Sequence, residues 1–61
     1  MSVGEAIEKL REAGYEVEGV IMSAAGGPTG TVNGIILSGQ QLIELASGQK
    51  TIRQLRQEGK R

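Results

Sequence analysis

The sequence predicts a small α+β domain with the element order α-β-β-α-α. Its two strands are expected to form an antiparallel hairpin that dimerisation completes into a larger sheet. Three observations predict this. Three S/T-x-x-E/Q boxes each precede apolar residues at helical spacing. Two β-rich runs, residues 16–22 and 31–37, lie between the first box and the second. The 61 residues include neither cysteine nor histidine, so the disulfides and zinc sites that hold very small domains together are missing. Such a chain buries only roughly 60% of its unfolded surface. Ten glycines add to the entropy lost on folding. Self-association is the expected remedy.

Ser2-Val3-Gly4-Glu5 opens the first helix, expected over residues 3–13 with Val3, Ala6, Ile7, Leu10 and Ala13 on one side. Gly14 is placed to end it in a left-handed conformation, with Tyr15 folding back over Leu10. The next run, Glu16 to Met22, begins by alternating, Glu16 and Glu18 against Val17. The alternation then fails at Val20-Ile21-Met22, which asks for cover on both faces. Residues 23–30, rich in glycine with Pro28, are expected to form a flexible loop. Residues 31–37 form the second expected strand. Asn33-Gly34 within it could be a type I′ turn, but that leaves Thr31-Val32 little strand to pair, so a bulge or a close backbone approach at Gly34 is preferred.

Ser38-Gly39-Gln40-Gln41 starts the helix of residues 39–47, with Leu37 and Leu42 spaced as a hydrophobic staple across the cap and Gly48 as its stop. Thr51-Ile52-Arg53-Gln54 starts a third helix ending near Glu58. It is too short to persist without docking. Residues 59–61 are expected to fray. Residues 1–61 thus form one domain.

The function classes are bounded mostly by exclusion. The chain contains no histidine, cysteine, aspartate or tryptophan. Histidine-based proton transfer, nucleophilic triads, and nitrogen or sulfur metal sites are therefore unavailable. No enzyme, metal or cofactor is expected. Glu16 and Glu18 share a strand face and could hold magnesium with a phosphate, but a solvated face explains them as well. Ser38 lacks the G-x-S-x-G setting of a hydrolase nucleophile, since position 36 is isoleucine. Gly26–Thr31 lacks the lysine and following helix of a phosphate loop. The better candidate for an anion or nucleotide is the helix start at Ser38 and Gly39.

The net charge is zero but unevenly placed. Residues 1–18 carry five glutamates against Lys9 and Arg11, a net −3. Residues 44–61 carry Lys50, Arg53, Arg56, Lys60 and Arg61 against Glu44 and Glu58, a net +3. Those five basic residues are the candidates for nucleic-acid contact, weighed against a sequence pI of about 6.2 and a single aromatic residue. The alternative is attraction between the acidic and basic ends, within or between subunits.

Ile35-Ile36-Leu37-Ser38-Gly39-Gln40-Gln41-Leu42-Ile43-Glu44-Leu45 resembles the final strand and helix of Mrr-type restriction-endonuclease domains, where an L-I-D-G-x-x-L run is usual. Serine stands here in place of that run's aspartate. The family's catalytic Asp…(Glu/Gln)-x-Lys set has no counterpart, so the resemblance assigns no site.

The expectation is a non-catalytic interaction or regulatory protein that acts as a homodimer and binds a protein partner. Val20, Met22, Ile35 and Leu37 are the expected dimer-interface residues. With no signal-peptide pattern and no apolar run near about 18 residues, the chain is expected in the cytoplasm, away from membranes.

Overall fold

All three capping boxes start helices. In a computed structural model, which describes residues 1–22 and 27–59, α1 spans Val3–Glu12, α2 spans Gly39–Ala46 and α3 spans Ile52–Gly59. The Glu5 amide donates to Ser2 Oγ at 3.2 Å, and the Gln54 amide donates to Thr51 Oγ1 at 3.2 Å. All three boxes are closed in both directions, as at α2. The Gln41 amide donates to Ser38 Oγ at 3.3 Å, and the Ser38 amide donates to Gln41 Oε1 at 3.0 Å. Each bond satisfies an amide that a bare helix start would leave unpaired.

α1 and α2 also stop as expected. The Tyr15 amide donates to the Leu10 carbonyl at 3.0 Å, and the Gly14 amide to the Arg11 carbonyl at 3.1 Å. Gln49 and Gly48 repeat the pattern with Glu44 and Leu45. Both are Schellman endings, each with its glycine at positive φ.

Between the helices lie three strands: β1 (Val17–Ile21), β2 (Thr29–Val32) and β3 (Ile35–Ser38). They form one antiparallel sheet in the order β1-β2-β3. The domain is α+β, but the run expected as a single strand over 31–37 is a hairpin. Asn33 and Gly34, at φ 49° and 82°, form the two-residue turn that pairs Val32 with Ile35. Both positive φ values identify the type I′ turn, whose twist matches that of the strands it joins. Thr31-Val32 alone would be too short to pair. Thr29 and Gly30 supply the missing strand, pairing with Ser38 and Leu37.

Those two residues were expected in a flexible loop; of residues 23–30, positions 23–26 lie outside the described residues. Gly30 is buried because α2 approaches the sheet there. A Cβ at Gly30 would meet Leu42 Cδ1 at 3.5 Å and Val20 Cγ2 at 3.6 Å. The glycine that reads as a chain break is thus a site of close packing.

The bulge preferred at Gly34 occurs in β1 instead. The β1–β2 register shifts between Glu18 and Ile21, with Gly19 at φ 57°. This shift explains the failed alternation at Val20-Ile21-Met22. Val17 faces the core, and strict alternation would bring Ile21 inward. The extra residue brings Val20 in and turns Ile21 out.

The core joins Ala6, Ile7 and Leu10 of α1, Val17, Val32 and Leu37 of the sheet, Leu42 and Leu45 of α2, and Leu55 of α3. Each fully buried leucine contributes about 1.5–3 kcal/mol relative to its exposed state. α1 packs on α2 and β1, α2 on β2 and β3, and α3 on β3. All three helices therefore cover the same face of the sheet. Leu55 and the half-buried Ile52 dock α3. Gly59 closes that helix, and Lys60 and Arg61 lie outside the described residues.

Asn33 also ties the turn to β1. The Glu16 amide donates to Asn33 Oδ1 and the Asn33 amide donates to the Glu16 carbonyl, each at 2.9 Å. Asn33→Ala removes that acceptor and leaves an ordinary side chain in the left-handed region. It should cost about 1–3 kcal/mol of stability in urea unfolding followed by far-UV circular dichroism. Asn33→Asp keeps the acceptor and should lose less.

Candidate functional site

The helices leave the opposite face of the sheet open. The register places Glu18, Thr31 and Ile36 in one row across the three strands. Ile21, Thr29 and Ser38 form the next row. Ile36 is 76% exposed, Ile21 53% and Met22, just after β1, 55%. Glu18 is the one charged residue in the two rows. An apolar surface held on a hydrogen-bonded sheet is the feature that the fold leaves unused.

Three of the four residues expected at a subunit interface lie on the side of the sheet that the chain's own helices cover. Leu37 is 1% exposed, and Val20 and Ile35 pack half-buried against the protein's own core. Their need for cover is met by the helices of the same chain. Met22 remains on the surface. The cause is parity. Side chains alternate along a strand, so Leu37 facing inward turns Ile36 outward. Ile21 and Ile36 are the exposed large apolar side chains on the strands. The signal for Ile36 is the turn itself: Asn33-Gly34 as a two-residue loop fixes which β3 residues share a face with Val32, whereas Ile21 depends on the β1 bulge.

The edges of the sheet are poorly suited to pairing. Val32 and Ile35 close the turn as a hydrogen-bonded pair, which directs the backbone groups of Ile36 and Ser38 to the free edge of β3. The Ser38 amide is already donated to Gln41. On the other edge, β1 is interrupted by its bulge. Short and bulged edges resist strand addition.

Of the five basic candidates, Lys50, Arg53 and Arg56 lie among the described residues. Lys50 is held by two carboxylates, its Nζ 2.7 Å from Glu58 Oε2 and 3.6 Å from Glu44 Oε1. Gln41 Nε2 also donates to Glu58, at 3.4 Å. These contacts tie the α2–α3 connection and α3 back to α2. Arg53 and Arg56 are exposed on α3, and neither forms an ion pair among the described residues. Lys60 and Arg61 lie outside the described residues. Among the described residues of this basic segment, Arg53 and Arg56 are thus the cations without an ion pair.

The helix start at Ser38 and Gly39 is occupied by the chain itself. Ser38 Oγ accepts the Gln41 amide, and Gly39 is buried. A Cβ at Gly39 would meet Val3 Cγ2 at 3.0 Å and the Pro28 carbonyl oxygen at 3.5 Å. The close approach that Gly39 permits is made by α1 and Pro28. Glu16 and Glu18 are both exposed, and no group of three potential metal-ligating residues occurs among the described residues. Nor do the described residues enclose a ligand-sized cavity. No helix among them is long and apolar enough to cross a membrane.

The Lys50–Glu58 contact gives the docking of α3 a pH dependence. The hydrogen bond from Lys50 lowers the Glu58 carboxyl below its ordinary 4.5, and the same bond raises Lys50 above 10.5. The Glu58 contribution is complete above pH 4.5 and is lost as pH falls through the depressed value. The Lys50 contribution is complete below pH 10.5 and is lost as pH rises through the raised value. Thermal unfolding midpoints measured down the acid limb should fall less steeply in Glu58→Gln than in the parent. Equal acid slopes would show that the contact does not contribute.

No family model, curated protein or solved structure matches this chain.

Proposed function

We propose that this chain is a small, non-catalytic interaction protein that acts as a homo-oligomer, with the open face of the sheet as the surface joining its copies. The observation that carries this reading is Ile36, 76% exposed beside Thr31 on an otherwise regular strand. Ile21 and Met22 extend the apolar surface. Burial of such side chains is favourable by about 25 cal/mol per Å², and a second copy supplies an apolar face of the same kind.

The domain measures 26 × 25 × 18 Å, so one face reaches only the lower end of the range for specific interfaces, where about 800 Å² per partner is standard. Association is therefore expected at about micromolar Kd or weaker. Joined this way, two copies keep their charged helices outward for a protein partner. We place the protein in the cytoplasm, a reading supported by its lack of cysteine.

Two other readings rank lower. A nucleic-acid regulator would rely on Arg53 and Arg56, with Lys50 already engaged by Glu44 and Glu58. An anion- or nucleotide-binding protein would need Val3 and Pro28 to leave Gly39.

Ile36→Thr keeps a β-branched residue while removing apolar surface, so monomer stability should change by only about 0.5 kcal/mol. Dimerisation measured by analytical ultracentrifugation should weaken about tenfold or more. Unchanged dimerisation in this variant would remove the open face from the contact.

A further inference from the structure

Asn33 is the chain's only asparagine, and a glycine follows it. Both residues are exposed at the tip of the β2–β3 hairpin. An asparagine followed by glycine is the pair best suited to attack by the backbone on its own side chain. Gly34 has no side chain to shield its nitrogen, and a Cβ built there would meet nothing within 4 Å. In the attack, the Gly34 nitrogen bonds to Asn33 Cγ and the bond from Cγ to Nδ2 breaks. The proton of the Gly34 amide leaves with Nδ2 as ammonia, and a cyclic succinimide remains. Water then opens the ring. Cleavage at Cγ gives aspartate. Cleavage at the main-chain carbonyl gives isoaspartate, in which the main chain runs through Cβ and Cγ. Ammonia is lost, water is taken up and nothing is oxidised.

The fold opposes this reaction in two ways. A type I′ turn holds ψ of its first central residue at about 30°, which sets Cβ nearly anti to the next nitrogen. The ring needs those two atoms nearly eclipsed. Asn33 is also held by Glu16, whose amide donates to Oδ1 and whose carbonyl accepts the Asn33 amide. Ring closure must therefore leave both the turn and the contact with Glu16. Glu16 lies directly before β1, an edge strand whose ladder slips between Glu18 and Ile21. Local opening of such an edge costs less than global unfolding. We propose that Asn33-Gly34 is a self-modification site, closed by the type I′ turn and by Glu16, whose deamidation records each opening of the hairpin tip. The aspartate product keeps an acceptor for the Glu16 amide. The isoaspartate product lengthens the main chain between Val32 and Ile35, so the turn that fixes their pairing is lost. The row of Thr31 and Ile36 goes with it. None of this depends on self-association.

The test is the rate of conversion at neutral pH, followed by ion exchange. The parent has no aspartate, so new cleavage before residue 33 by an aspartate-specific endoprotease marks the aspartate product. Methylation by an isoaspartyl methyltransferase marks the other. The parent unfolded in guanidinium chloride should convert at least about tenfold faster than the folded parent. Below the unfolding transition, conversion should rise in step with hydrogen exchange of the Asn33 amide, because one opening governs both. Glu16→Pro removes the amide that holds Oδ1. Where far-UV circular dichroism shows this variant folded, it should convert several-fold faster than the parent. Equal rates in the folded and unfolded parent would overturn the closure by the fold. So would conversion that stays constant while exchange of the Asn33 amide rises. Conversion of folded Glu16→Pro at the parent's rate would remove Glu16 from the gate. If the unfolded parent forms neither product at residue 33, the site itself is overturned.

Discussion

The register of the β2–β3 hairpin is the constraint on which the other features depend. A two-residue turn at Asn33-Gly34 admits one pairing, Val32 with Ile35, and every later pair follows from it. That pairing sends Leu37 into the core and Ile36 to the surface. It also brings Gly30 beneath Leu42, where the lack of a side chain lets α2 sit close to the sheet. Ser38 then leaves the strand and caps α2 in the same step. A shift of one residue would bury Ile36, expose Leu37 and place the cap on the wrong side of the sheet.

The helices were legible because their signals are local. A cap, its third residue and the glycine after the last turn lie within a few positions of the atoms they satisfy, so Ser2, Ser38 and Thr51 could be read directly. The strands were less legible because their residues answer to partners elsewhere in the chain. Gly30 is a poor strand former, yet pairing with Leu37 makes it, with Thr29, part of β2. Gly19 and Gly34 both carry the local sign of a bulge, and only the register places the slip at Gly19. The bulge becomes evident only when Val17 and Val20 are both found against the core.

The site followed the same division. Ser38 and Gly39 were recognisable as a helix start, but only the fold reveals that Val3 and Pro28 occupy the approach to Gly39. The basic segment was visible as a run of charge, but its internal pairing through Glu44 and Glu58 required tertiary contacts. Both apolar runs, residues 20–22 and 35–37, ask for cover, and strand parity decides which of their side chains receive it within the chain. The chain's own helices bury Leu37 and half-bury Val20 and Ile35, leaving Ile21, Met22 and Ile36 exposed. Covering one face of a three-stranded sheet uses all three helices described, and the second face is left open.

The central claim is that copies meet through this second face. Its most direct measurement is the concentration dependence of backbone amide chemical shifts in a labelled sample, followed from about 10 μM to about 1 mM. The account predicts saturable changes centred on Glu18, Ile21, Thr31 and Ile36, with the outer surfaces of α1 and α2 unaffected. Shifts independent of concentration, or changes confined to the helices, would contradict it.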